Sequence, residues 1–294
     1  MTLFISHIVL KNSLEFPPLP SERKTLLRLI TFRKETIFKC YFSNTKLCDI
    51  IHKKGEIFNV LKLLNREDLS PNVFKGSEIY IKDEQTPTVS DAANDLVKRA
   101  MNYSPENPLY VVTIGAITNV ASALLLKPEI APNIVIVWLG GHSYNHIDTA
   151  EFNMVQDIAA ARVVFKSSAP FIQLPCVGVV SHFHFSIIEL EHYMRGKNKL
   201  CDFLIDRVIE HKKECEELYG KGPLVFSKII WDVVAVAWLL NDNDRFMIGH
   251  LTPAPLPEYD KVYSFNPHNR IINTIYYINH SALASDLIKK LTEN

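Results

Sequence analysis

The fold this sequence predicts is an open, mostly parallel α/β sheet with helices on both faces. Two observations carry that reading. Between Leu109 and Val177, apolar β-type runs and helical patterns alternate as strand, helix, strand, helix, strand, in units of about 25–30 residues. The runs Tyr110–Ile114 and Ile134–Leu139 also each end in small residues, Gly115-Ala116 and Gly140-Gly141, which punctuate a strand end. Right-handed crossovers then place helices over both faces of the sheet.

Composition agrees with that class. The chain has 294 residues, 47% hydrophobic and 22% charged, enough for a large core. Lys plus Arg equals Asp plus Glu at 32 each, so there is no basic field to hold nucleic acid and no nucleic-acid partner is expected. The five cysteines are odd in number and form no C-x-x-C pair. That argues against a disulfide framework or a thiolate zinc site and fits a reducing compartment, so a cytoplasmic location is expected. The first residues, MTLFISHIVL, lack a basic stretch ahead of the apolar run, and no small-residue cleavage site follows, so a signal peptide is not expected. No window is continuously apolar for about 18 residues, so no membrane span is expected.

Taken in order, residues 1–43 carry no chemical motif. Pro17, Pro18 and Pro20 break any early element, Ser21–Thr31 fits a short capped helix, and Lys34–Phe42 alternates as a strand does. Asn44–Leu64 repeats apolar residues at helical spacing. Ser90 caps a helix whose first residue, Asp91, suits the positive end of the helix dipole. Leu109–Ile114 is a buried strand, Thr118-Asn119 opens a helix that Pro128 punctuates, and a strand begins after Asn133. Asp157 N-caps IAAARVVFKSS, and Phe171–Val177 is again strand-like. His184–Tyr219 reads as helical and ends at Gly220. Phe226–Leu240 is an apolar block holding one carboxylate, Asp232. A proline loop, a strand pair (VYSFN, then RIINTIYYIN) and a last helix, ALASDLIKKL, complete the chain.

In open α/β sheets, ligands sit at the carboxyl ends of the strands, which selects Ile114-Gly115, Gly140 to Asn153, and the start of the late apolar block. Glu151-Phe152-Asn153 suits a polyhydroxylated ligand: the carboxylate accepts hydroxyl protons, the amide both donates and accepts, and the ring walls a pocket. The same set also fits a loop that satisfies its own backbone. Asp232 is the other oddity, because a carboxylate inside an apolar run is paired, caps a helix or holds a metal. His142 and His146 stand four apart, but Ser143, Tyr144 and Asn145 between them form a glycine-led loop rather than a helix. No H-E-x-x-H occurs either, so zinc is not expected there.

Several of these segments, taken together and in order, resemble the inosine/uridine-preferring nucleoside hydrolase family. They are IGAITNVASALLLKPEI, then LGG followed by AEFN and D-x-A-A, then WDVVAVAWLL. The resemblance covers roughly residues 74–290, within a hydrolase-like unit taken as 44–294 that follows a divergent segment, 1–43. It implies calcium-assisted hydrolysis of the N-glycosidic bond of ribonucleosides to ribose and free base. By that resemblance the Ile114 carbonyl and the Asp232 carboxylate face the metal, and Asn145, Glu151 and Asn153 bind ribose. Family members commonly form dimers or tetramers, so a homo-oligomer is expected. The sequence departs from the family pattern twice. The D-x-D-x-x-x-D-D motif that supplies the family's general base and most of its calcium ligands does not occur, so the first strand is expected to be lost or replaced. Trp231 stands where the family's leaving-group histidine precedes the aspartate.

Overall fold

The computed structural model describes residues 57–293, together with the backbone of two earlier strands. Its centre is an eight-stranded sheet in the order β3-β2-β1-β4-β5-β6-β12-β9. The strands are β1 (His7–Leu10), β2 (Phe38–Phe42), β3 (Val73–Lys75), β4 (Leu109–Thr113), β5 (Ile134–Leu139), β6 (Phe171–Leu174), β9 (Met247–Pro253) and β12 (Ile271–Ile278). Strands β4, β5, β6 and β12 run parallel, and only β1 and β9 run against the rest. Two small hairpins lie outside the sheet: β7 (His184–Ser186) with β8 (Ser227–Ile229), and β10 (Leu256–Pro257) with β11 (Tyr263–Ser264).

The strand period of two divides the central residues between two cores. Ile134, Ile136 and Trp138 of β5 face one layer, with α2 (Asp91–Ala100), α3 (Thr118–Leu126) and α5 (Ile158–Lys166). Val135, Val137 and Leu139 face the other, with α6 (Ile187–Met194), α7 (Lys199–Tyr219), α8 (Val233–Ala237) and α9 (His280–Thr292). Every residue of β5 is buried, so each such side chain contributes roughly 1.5–3 kcal/mol of burial. That explains the unbroken apolar run IVIVWL: with helices on both faces, neither face of the strand can be polar.

Local signals account for the helix starts. Ser90 accepts from the Ala93 N–H at 3.1 Å and caps α2. Asp157 caps α5 through Ala160 N at 2.9 Å, while its other oxygen takes Thr118 Oγ1 at 2.6 Å and Ile81 N at 3.1 Å. One carboxylate thus ties the starts of two helices to the segment after β3.

The place beside β4 is filled by β1, which pairs antiparallel in the register His7↔Thr113 to Leu10↔Tyr110. A strand of the segment 1–43 thus takes the place beside β4, and the expected strand over Lys34–Phe42 appears in its described part as β2 (Phe38–Phe42). The expected helix at Ser21–Thr31 lies outside the described residues. Of the helix expected over Asn44–Leu64, the described part, α1 (57–63), is helical.

Three expectations change. His184–Tyr219 is not one helix: β7 comes first, and α6 and α7 are separated where Gly196 adopts a φ of +74° and Asn198 caps α7 through Cys201 N. A left-handed glycine followed by an Asn cap ends one helix and starts the next. The proline-rich stretch is not all loop, because β9 takes the sheet edge, where prolines that cannot donate are tolerated. Finally, VYSFN does not pair with RIINTIYYIN: β11 pairs with β10, and β12 pairs with β9 and β6.

Candidate active site

The carboxyl ends of β4, β5 and β6 open on one edge of the sheet, and α8 packs on β4 and β5 there. The floor is built from close approaches. A Cβ on Gly140 would overlap the Trp138 ring, whose Nε1 donates to the Gly115 carbonyl at 3.0 Å. Gly141 has a φ of +76°, and a Cβ there would meet the Tyr263 hydroxyl. Both glycines that mark the strand end in the sequence are thus required sterically.

From Gly141 the loop returns to Glu151, which caps the short helix α4 (Phe152–Gln156). The Glu151 carboxylate accepts from Asn153 N, Met154 N and Gly141 N, each at 2.9 Å. Burial pushes its carboxyl up, and these bonds pull it partly back. Both oxygens are therefore occupied by the protein's own donors, so Glu151 shapes the site by holding backbone. Gly141 is clamped on its other side too, because its carbonyl accepts from Cys176 N at 2.8 Å.

Asn153 is buried, and its Nδ2 donates to the Leu139 carbonyl at 2.9 Å. Its Oδ1 is buried without a hydrogen-bond partner. Asp232 sits at the N-cap position of α8 with helical φ and ψ and makes no capping bond. The cap reading of the sequence therefore fails in its energetic sense, and Oδ2 is left enclosed without a partner. Burial drives the Asp232 carboxyl well above the ordinary aspartate range; Lys228 pulls it down, and the nearby Glu151 pushes it further up. Burial in turn lowers Lys228, which the neighbouring Cys215 and Asp232 partly offset.

The other expected site residues fall as follows. Ile114 is buried just past β4. Asn145 lies exposed on the β5–α4 loop, whereas Glu151 and Asn153 are buried. Trp231, beside Asp232, is half-buried against the second core.

A polar network under the loop was not legible in the sequence beyond the presence of Gln173 in an apolar strand. Tyr144 Oη donates to Gln173 Oε1 at 2.6 Å and lies 2.8 Å from Thr274 Oγ1. Gln173 Nε2 donates to the Gly140 carbonyl at 3.0 Å and to Tyr263 Oη at 3.1 Å. Burial pushes the Tyr144 and Tyr263 phenols far up, so both stay protonated donors. On the same loop the ring centroids of His142 and His146 lie 4.3 Å apart. Among the described residues, only His142, His146 and Asp148 form a group of three whose ligand atoms lie within 4.8 Å of one another.

Two buried acceptors without partners, Asn153 Oδ1 and Asp232 Oδ2, thus lie on elements at the carboxyl edge of the sheet, where open α/β folds hold their ligands. Comparison with known proteins makes the class specific. Residues 49–270 match the model of the inosine-uridine preferring nucleoside hydrolases, and the chain belongs to that family. Over 72 residues it is 36% identical to the pyrimidine-specific ribonucleoside hydrolase RihB of Escherichia coli, a match covering 24% of this chain and 23% of that protein. A protein of Shigella boydii named as a putative pyrimidine-specific ribonucleoside hydrolase gives the same identity over 72 residues, covering 30% of its length. The match thus spans less than a third of these curated relatives. In fold, the chain is similar to a plant nucleoside hydrolase, with a TM-score of 0.64 and 19% identity over 82% of this chain and 86% of that one. It is also similar to a purine-preferring ribonucleoside hydrolase of Gardnerella vaginalis, with a TM-score of 0.64 and 16% identity over 86% and 89% of the two chains.

Proposed function

We propose that the crevice binds a ribonucleoside by its ribose, and that the chain is an N-ribohydrolase of its family's type. The reaction adds water across the N-glycosidic bond and yields ribose and a free base. The observation that carries the reading is the pair of orphaned acceptors, Asn153 Oδ1 and Asp232 Oδ2. A buried acceptor without a donor costs about 1–3 kcal/mol, a cost a bound ligand can relieve. Ribose hydroxyls are donors of the required kind. Glu151 holds the loop that presents Asn153, and Asn145, on the exposed part of that loop, meets the ligand from the open side.

A calcium ion, where one is bound, would grip the ribose diol and lower the pKa of a water. The described residues offer it Asp232 Oδ2, an orphan suited to a cation, and the Ile114 carbonyl. Calcium takes roughly six to eight oxygens, so this donor set does not by itself make the site. That shortfall favours a second reading, nucleoside binding without turnover. The segment 1–43 then acts as a divergent strand donor to a hydrolase-like unit over 44–294. The odd cysteine number supports a cytoplasmic location, and the family's habit supports a homo-oligomer. Among the described residues no helix is long and apolar enough to cross a membrane.

Calorimetry with inosine and uridine, with and without calcium, and a ribose-release assay test both readings. Binding with release, both lost in Asp232→Ala, is the outcome expected of the hydrolase. Binding without release selects the second reading, and no binding of either nucleoside overturns both.

A further inference from the structure

We propose that His142, His146 and Asp148 form a site for a divalent transition metal of the zinc class, on the same β5–α4 loop that carries Asn145 but built from side chains that the ribose reading does not use. The three groups lie within 4.8 Å of one another, and the two imidazole centroids are 4.3 Å apart. The sequence spacing alone speaks against this, since the residues between the histidines are not helical. The loop achieves by its turns what a helix achieves by its pitch.

The loop is fastened, so the rings are preorganised. Gly141 is held through both its N–H and its carbonyl, Ser143 N donates to the Val177 carbonyl at 3.0 Å, and His146 N donates to the Ser143 carbonyl at 2.9 Å. His142 is buried, so its ring is held by the surrounding chain. His146 Nδ1 lies 3.2 Å from the Asp148 carbonyl. Asp148 N also lies 3.5 Å from Nδ1; with the proton on Nδ1 donated to the carbonyl, the Nε2 lone pair is left for a metal, the arrangement that metal-bound histidines use. Asp148 Oδ1 accepts from Ala150 N at 2.8 Å and lies 3.7 Å from His146 Nδ1, which sets its carboxylate beside the rings.

Two imidazole nitrogens and one carboxylate oxygen select a borderline metal such as zinc, nickel or copper; calcium and magnesium take oxygen ligands. Three protein ligands leave coordination positions open, and His146 and Asp148 are only half-buried, so an ion has an entry path. Loading has one structural consequence. Val177 N donates to His142 Nδ1 at 3.3 Å, so the neutral ring carries its proton on Nε2. Ligation through Nε2 moves that proton to Nδ1, and ligation through Nδ1 displaces the amide directly. Either way the Val177 bond is released, with no net loss of a proton from His142.

The test uses the full chain without a histidine tag, titrated with Zn²⁺ against a chromophoric chelator. One zinc per chain at micromolar affinity or tighter is expected, with affinity falling at least about 10-fold in each of His142→Ala, His146→Ala and Asp148→Asn. The control His182→Ala/His184→Ala should leave affinity unchanged. The Val177 amide resonance should shift on zinc addition, which reads the site without a variant. Undiminished affinity in His142→Ala/His146→Ala, or no zinc bound to the native chain, overturns the proposal, as does binding that leaves the Val177 amide unmoved.

Discussion

The backbone N–H of Gly141 donates to Glu151 Oε2 at 2.9 Å, fastening the start of the β5–α4 loop to the residue that caps its closing helix. A side chain suited by its type to a sugar is thereby used for architecture. The neighbouring Asn153 keeps a buried oxygen, Oδ1, without a partner.

Replacing Glu151 removes the acceptor of three buried N–H groups, and each orphaned donor costs about 1–3 kcal/mol. Glu151→Ala should therefore lose about 3 kcal/mol or more in urea unfolding, with the midpoint lowered and the slope unchanged. Glu151→Gln keeps one acceptor oxygen and should fall between the two. A loss below about 0.5 kcal/mol in the alanine variant would contradict the bonding described.

Gly141→Ala meets a left-handed φ of +76° and overlap with the Tyr263 hydroxyl above all, with Gln173 Nε2 the next atom in the way at 2.9 Å. The first costs about 1–2 kcal/mol by itself. Tyr263→Phe removes the colliding oxygen at the expense of its bond from Gln173 Nε2. The double variant should thus be more stable than the sum of the single losses by about 1 kcal/mol. Strict additivity would show that the hydroxyl is not what excludes a side chain at Gly141.

These residues also mark what the sequence discloses. The strand ends, the cap at Asp157 and the apolar β5 follow from short-range pattern, and so does the parallel sheet they build. The AEFN segment singles out the loop whose start Glu151 fastens, because a charged residue beside an amide at a strand end is a local signal. What it does not disclose is which of Glu151's possible donors arrives: the Gly141 amide comes from the other end of the loop, ten residues away. The same holds for His142 and His146, whose spacing on a loop argues against a shared ligand and which bonds to Val177 and Ser143 bring together. Asp232 is legible as an oddity, but only the three-dimensional arrangement shows that it makes no cap for its helix.

The raised pKa of Asp232 predicts a pH dependence of stability. Below its ordinary value of 3.8 the group is protonated whether folded or unfolded, and its burial as an acid carries no charge penalty. As pH rises through the window between 3.8 and the higher folded value, the unfolded chain ionises first, and the native state loses stability. Asp232→Asn lacks the titration. In metal-free buffer its stability relative to the native chain should be flat below about pH 4. It should then climb by about 1.4 kcal/mol for each further pH step of one, until the folded carboxyl itself ionises. Melting curves from pH 4 to 8 read this difference, and a gap that does not change with pH would place the carboxylate in contact with water.

If ribose hydroxyls satisfy the two orphaned acceptors, ligands lacking them should be penalised only while the acceptors are present. Inosine should bind the native chain more tightly than 2′,3′-dideoxyinosine by at least about 10-fold, which is about 1.4 kcal/mol. Asn153→Ala and Asp232→Ala should each weaken inosine while barely affecting the dideoxy compound, so the ratio collapses. Asn153→Asp keeps an acceptor but loses the Nδ2 donor to the Leu139 carbonyl, so it should preserve discrimination at some expense of stability. Competition binding with the two nucleosides across these variants separates sugar recognition from general loss of structure, since misfolding lowers both affinities together. Equal affinity of the native chain for both compounds would remove the ribose from the crevice.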